Sequence, residues 1–67
     1  MLTVQVNGEE KKIEELLTIS QLLKRFEIPE GTIAVAVNSE IIPYSFYNKV
    51  RVQDGDRVEV VRAVGGG

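Results

Sequence analysis

Leu2-Thr3-Val4-Gln5-Val6-Asn7-Gly8-Glu9-Glu10-Lys11-Lys12-Ile13 reads as two short strands joined by a tight turn. Leu2, Val4 and Val6 alternate with Thr3 and Gln5, the period of two that sends one set of side chains to a core and the other toward water. Asn7-Gly8 supplies two residues that tolerate positive φ, the geometry a two-residue hairpin turn needs to match the native strand twist. The return stretch, Glu9 to Ile13, is mostly charged, as suits an edge or solvent-facing strand, and only Ile13 clearly points inward.

Working outward, Thr18-Ile19-Ser20-Gln21 fits a capping box, in which the Thr hydroxyl and the Gln side chain satisfy N–H groups that a first helical turn leaves unpaired. Ile19, Leu22, Leu23 and Phe26 follow at the spacing of one apolar helical stripe, with Lys24 and Arg25 near the C-terminal end, where cations suit the helix dipole. Pro29-Glu30-Gly31 closes the segment. Thr32 to Val37 is a continuous apolar run of strand length and is the expected central strand, with Ile33, Val35 and Val37 on one face and the small Ala34 and Ala36 on the other. In Ile41-Ile42-Pro43-Tyr44-Ser45-Phe46-Tyr47 the proline breaks any long strand, and the aromatics are expected to pack over one end of the core. Asp54-Gly55-Asp56 makes a turn before a last alternating strand, Arg57 to Val64. The order ββαβ(β)β, with the first and last strands side by side in parallel, reads as an α+β, ubiquitin-like β-grasp: a mixed sheet packed on one helix. Residues 1–64 form that domain and residues 65–67 a C-terminal glycine tail.

Composition narrows the function. A chain of 67 residues makes one small domain, and domains of about this size bury only roughly 60% of the surface their unfolded chains expose. That leaves little room for the water-excluding pocket an enzyme needs, typically about 300–1,000 Å³. Eight Lys and Arg against ten Asp and Glu give a net charge of −2, with the basic residues scattered singly or in the pairs Lys11-Lys12 and Lys24-Arg25, which argues against nucleic acid as a partner. Cys and His are absent, removing disulfides, thiolate nucleophiles, imidazole bases and ordinary zinc sites together. The N-terminus lacks the pattern of a signal peptide and no stretch approaches about 20 apolar residues, so a cytoplasmic protein without a membrane span is expected.

Few residues remain to carry chemistry. Asp54 and Asp56 read as turn residues around a glycine with positive φ, not as a metal site, since no calcium-loop spacing surrounds them. Glu9-Glu10 and Glu14-Glu15 read as solvated faces. Gly65, Gly66 and Gly67 have maximal backbone freedom and the narrowest cross-section, so they can thread a tight channel. Taken alone, they read more readily as a frayed end or linker remnant. Their position changes that reading, because they follow the last strand with no spacer and end the sequence.

In its length, its Asn7-Gly8 hairpin, its Asp54-Gly55-Asp56 turn and its ending Val64-Gly65-Gly66-Gly67, the whole chain resembles the ThiS family, the sulfur carriers of thiamine biosynthesis. The resemblance implies that an ATP-using, ubiquitin-activating-like enzyme adenylates the Gly67 carboxylate. A sulfur donor such as a cysteine desulfurase would then convert it to a thiocarboxylate, and thiazole synthase would take the sulfur for the thiazole ring. It further implies that Gly67 is the modified residue and Gly65 and Gly66 the flexible approach, that no residue is catalytic, and that the carrier binds no cofactor or metal, the ATP being the partner's. Partners must also grip the body. Val61, Ala63 and Val64 of the last strand are the candidate interface, although each can equally line a second core face or pair along the sheet. Ile42, Pro43 and Phe46 are weaker candidates, more readily core. Three other readings stand beside this one: the small subunit of molybdopterin synthase, a protein-conjugating ubiquitin-like modifier and, from another class, a β-grasp interaction module whose tail does nothing.

Overall fold

The computed structural model describes residues 1–28 and 33–62. The opening hairpin comprises β1 (Leu2–Val6) and β2 (Glu9–Ile13), antiparallel, with Val6 opposite Glu9 and Leu2 opposite Ile13. Asn7 and Gly8 turn the chain at φ of 51° and 83°, as the hairpin twist requires. Helix α1 (Ile19–Arg25) starts on the capping box anticipated: Gln21 N–H donates to Thr18 Oγ1 at 3.2 Å and Thr18 N–H to Gln21 Oε1 at 2.9 Å. Its other free N–H groups are met from far along the chain, Ile19 N–H by the Val50 carbonyl and Ser20 N–H by the Tyr47 carbonyl, both at 3.0 Å, so the turn-rich connection at 47–50 closes the helix start.

The helix stops before Pro29-Glu30-Gly31 is reached. Ile28 N–H donates to the Leu23 carbonyl at 2.8 Å and Glu27 N–H to the Lys24 carbonyl at 3.1 Å, with Glu27 at φ 57°. This is a Schellman ending with a glutamate where glycine is usual. Residues 29–32, including Thr32 of the anticipated strand, lie outside the described residues.

Strands β3 (Ile33–Val37), β4 (Glu40–Ile42) and β5 (Arg57–Arg62) complete one mixed sheet in the order β2-β1-β5-β3-β4. The first and last strands pair in parallel, Gln5 with Arg57 and Val6 with Val58, as anticipated. The middle position corrects an expectation: it belongs to β5, while β3 lies one place off centre between β5 and β4. β3 is apolar because it is covered on its helix side and small-residued on the other, and that composition does not report its place in the sheet. A second two-residue hairpin, Asn38-Ser39 at φ of 53° and 72°, joins β3 to β4.

The core lies between the sheet and α1. Val4, Val6, Ile13, Val35 and Val58 from the strands meet Ile19, Leu22 and Leu23 from the helix, and Tyr47 and Val52 close the end. Burial of each such side chain contributes about 1.5–3 kcal/mol. No polar or charged side chain is buried among the described residues. The aromatic stretch departs from expectation: Tyr47 is buried, but Tyr44 is 67% and Phe46 46% exposed. A single 3-10 turn, Tyr44–Phe46, is the cause. Three residues per turn bring Tyr44 over Tyr47, edge to face at 5.1 Å, and leave Phe46 on the outer side. Pro43 is also exposed and Ile42 half-buried, so of the three weaker candidates expected in the core only Ile42 packs against it.

Candidate functional site

β5 is the strand from which residues 63–67 continue, and its alternation divides it cleanly. Val58 and Val60 face the helix, while Glu59 and Val61 face out, Val61 being 63% exposed. Beside Val61 the register sets Ala34, and beside Glu59 it sets Ala36, which in turn pairs with Ile41. The two alanines carry no bulk, so the exposed Ile41 and Val61 stand as walls around a shallow apolar depression of about 260 Å³. The other half of the same face is polar: Gln5 lies between Arg57 and Glu10, and Thr3 pairs with Lys12. The outer face is thus apolar where it adjoins the end of β5 and polar at the β1–β2 end.

Two asparagines fasten β5 from its flanks. Asn38 N–H donates to the Arg57 carbonyl at 2.8 Å, its Oδ1 accepts from Arg57 N–H at 3.0 Å, and its Nδ2 donates to Asp56 Oδ1 at 2.9 Å. From the other flank Asn7 N–H donates to the Val58 carbonyl at 2.9 Å, and its side chain holds both backbone groups of Val60. The aspartates belong to this framework. Asp54 Oδ1 accepts from Thr3 N–H at 2.8 Å, and Asp56 Oδ2 from Gln53 N–H at 2.7 Å, around Gly55 at φ 88°. Both are therefore turn residues, as read from the sequence, and among the described residues no cluster of Asp or Glu is placed to hold a metal. Glu9, Glu10, Glu14 and Glu15 are all exposed.

Of the residues singled out in the sequence, Val61 is on the surface at the apolar half of the sheet, and Ala63, Val64, Gly65, Gly66 and Gly67 lie outside the described residues. Ala34, Ala36 and Ile41, which share the depression with Val61, were not anticipated as part of a site. The small face of β3 was the available signal, but placing it beside Val61 required the β3–β5 register. No described helix is long and apolar enough to cross a membrane.

Comparison with known proteins agrees with this architecture. The chain is 40% identical over 62 residues to a thiazole synthase of Paramagnetospirillum magneticum, covering 92% of this chain and 19% of that protein, so it spans about a fifth of that relative's length. It is 35% identical over 65 residues to the sulfur carrier protein ThiS of Bacillus subtilis, covering 96% of this chain and 98% of that one. The crystal structure of the thiamine biosynthesis protein ThiS from Geobacter metallireducens superposes with a TM-score of 0.87 at 28% identity, over 98% of this chain and all of that one. The model of the ThiS family matches residues 4–67. The β-grasp sheet, the single helix and a family match that runs through the terminal glycines converge on one assignment: the chain belongs to the ThiS family, the family of sulfur carriers in thiamine biosynthesis.

Proposed function

We propose that the chain performs the carrier role of its family through the carboxyl group of Gly67. In the first step a Gly67 carboxylate oxygen attacks the α-phosphate of ATP in an adenylating partner, releasing pyrophosphate and leaving an acyl adenylate. The outer sulfur of a persulfide on a donor such as a cysteine desulfurase then attacks the carbonyl carbon and expels AMP, forming an acyl disulfide. A thiol co-reactant attacks the donor-side sulfur of that bond, releasing the glycine thiocarboxylate and leaving a disulfide on the donor. Activation is needed because a free carboxylate is a poor electrophile, and glycine suits the position because no Cβ crowds the carbonyl. The carrier is a co-substrate in this scheme, and the ATP binds the partner.

The observation that carries the proposal is the family match extending through Gly67. Thiazole synthase as recipient is supported by the similarity of this chain to a segment of such an enzyme. Docking falls to the apolar half of the sheet, Val61 with Ala34, Ala36 and Ile41, and to Ala63 and Val64 next in sequence, since Val61 lies on β5, the strand that Gly67 follows six positions later. Intact-mass measurement of the protein from cells containing its partners, with fragmentation of the C-terminal peptide, tests the chemistry. Exchange of one oxygen for sulfur on Gly67 is the expected result. A carboxylate that stays unchanged with ATP, a sulfur donor and the activating enzyme removes the carrier scheme. Val61→Asp, at a surface position, is expected to weaken partner binding about tenfold without unfolding the body, and unchanged affinity would move the docking surface elsewhere.

A further inference from the structure

β5 is held unequally along its two edges. On the β3 side the antiparallel register runs to the last described residue, Arg62 opposite Ile33. On the β1 side it ends at Val58, because β1 stops at Val6 and the hairpin carries the chain away toward β2. The bonds along that edge run Gln5 N–H to the Asp56 carbonyl at 3.0 Å and Asn7 N–H to the Val58 carbonyl at 2.9 Å. The next backbone groups facing that way are those of Val60, where β1 has no residue left to offer. There the Asn7 side chain takes over: Oδ1 accepts from Val60 N–H at 2.7 Å and Nδ2 donates to the Val60 carbonyl at 3.2 Å. A carboxamide carries the same donor and acceptor as a peptide group, so it continues the ladder by one rung past the end of the strand.

From this geometry we infer that Asn7 is a positioning residue for the end of β5, the strand whose sequence continues to Gly67: its side-chain amide pins β5 at Val60 and so fixes the direction of the strand through Arg62. Asparagine and glycine both accommodate φ 51° at the first position of such a turn. What asparagine adds is the amide. Aspartate tolerates the same φ but has no donor for the Val60 carbonyl. In its consequence for sulfur loading this inference rests on the carrier reading above. In its structural content it stands apart from that reading.

The experiment compares the wild-type chain with Asn7→Gly, which keeps the turn and removes the amide, and with Asn7→Asp, which keeps only the acceptor. Hydrogen exchange at Val60 N–H is expected to speed up roughly tenfold in Asn7→Gly and less in Asn7→Asp, while Val61 N–H, bonded toward β3, stays unchanged. Residual dipolar couplings of the Val61 and Arg62 N–H vectors, measured in the same samples, are expected to move in Asn7→Gly. In steady-state loading by the adenylating enzyme, kcat should fall several-fold and by more than KM for the carrier rises, because Ala34, Ala36 and Ile41 of the docking face stay in place and only the line of β5 shifts. Unchanged exchange and couplings overturn the inference, as does wild-type loading matched by an Asn7→Gly chain with the same kcat. If the wild-type chain is itself not loaded, the carrier reading fails, and the exchange and coupling measurements decide the role of Asn7 alone.

Discussion

The two hairpin turns of this sheet use the same first residue for different ends. Asn7 and Asn38 both sit at positive φ, both open a two-residue turn, and both reach β5 through main chain and side chain. Asn38 grips Arg57 at the start of the strand and is itself held by Asp56, so it belongs to the turn that launches β5. Asn7 grips Val60 near the end, where nothing else on the β1 side is in register. The difference shows how a 67-residue chain fixes its middle strand: the start by a closed network of side chains, and the end by the β3 ladder on one edge and a single amide on the other.

The largest test of that contrast lies between the clamps. Val58 is 1% exposed and carries the carbonyl that Asn7 N–H meets. Val58→Ala is expected to cost about 2–3 kcal/mol in urea unfolding; a loss below about 1 kcal/mol would mean the edge contacts, not the core, hold β5. Next comes Asn38→Ala, which removes the bonds to Arg57 N–H and Asp56 and leaves an alanine at φ 53°. It is expected to cost about 2 kcal/mol, against about 1 kcal/mol for Asn38→Gly. Equal losses would show that backbone strain contributes nothing and the amide everything.

A double-mutant cycle between Asn38 and Asp56 sharpens the picture of a closed network, with an expected coupling of about 0.5–1 kcal/mol, and additive losses would dissolve it. The smallest effects have the opposite sign. Ser39 at φ 72° and Glu27 at φ 57° occupy geometry that suits glycine, so Ser39→Gly and Glu27→Gly are each expected to raise stability by about 0.5 kcal/mol, measured as a higher denaturation midpoint. A lowered midpoint at either would show that the side chain contributes more than the strain it bears.

Legibility followed the range of the interaction. The Asn7-Gly8 turn, the Thr18-Gln21 cap and the Gly55 turn are local, decided by residues within three of one another, and each stands where its residues placed it. Asn38-Ser39 is just as tight a turn but is not legible in the sequence, because serine at φ 72° carries no signal comparable to glycine and β4 after it is only three residues long. Placing Tyr44 and Phe46 over the core failed for a related reason: an apolar run without periodicity does not say which of its members turn inward. The helix ending was read from Pro29-Glu30-Gly31, whereas Glu27 made it with backbone bonds alone. At the candidate site, the place of Val61 on the last strand is legible in the sequence, whereas the alanines beside it depend on the β3–β5 register.

What the sequence alone determined is the opening hairpin, the helix, the third and last strands, their order and the family, the parallel pairing of first and last strands following from that fold and from no single stretch. These rest on periodicity, turn chemistry and motif order, all of which act over a few residues or recur as a pattern along the chain. Only the tertiary structure decided that β5 takes the middle of the sheet, that Ala34, Ala36 and Ile41 gather around Val61, and that the amide of Asn7 meets Val60 across 53 positions of sequence. Strand neighbours and register are settled by which faces the whole core buries at once, and no local stretch of residues contains that information.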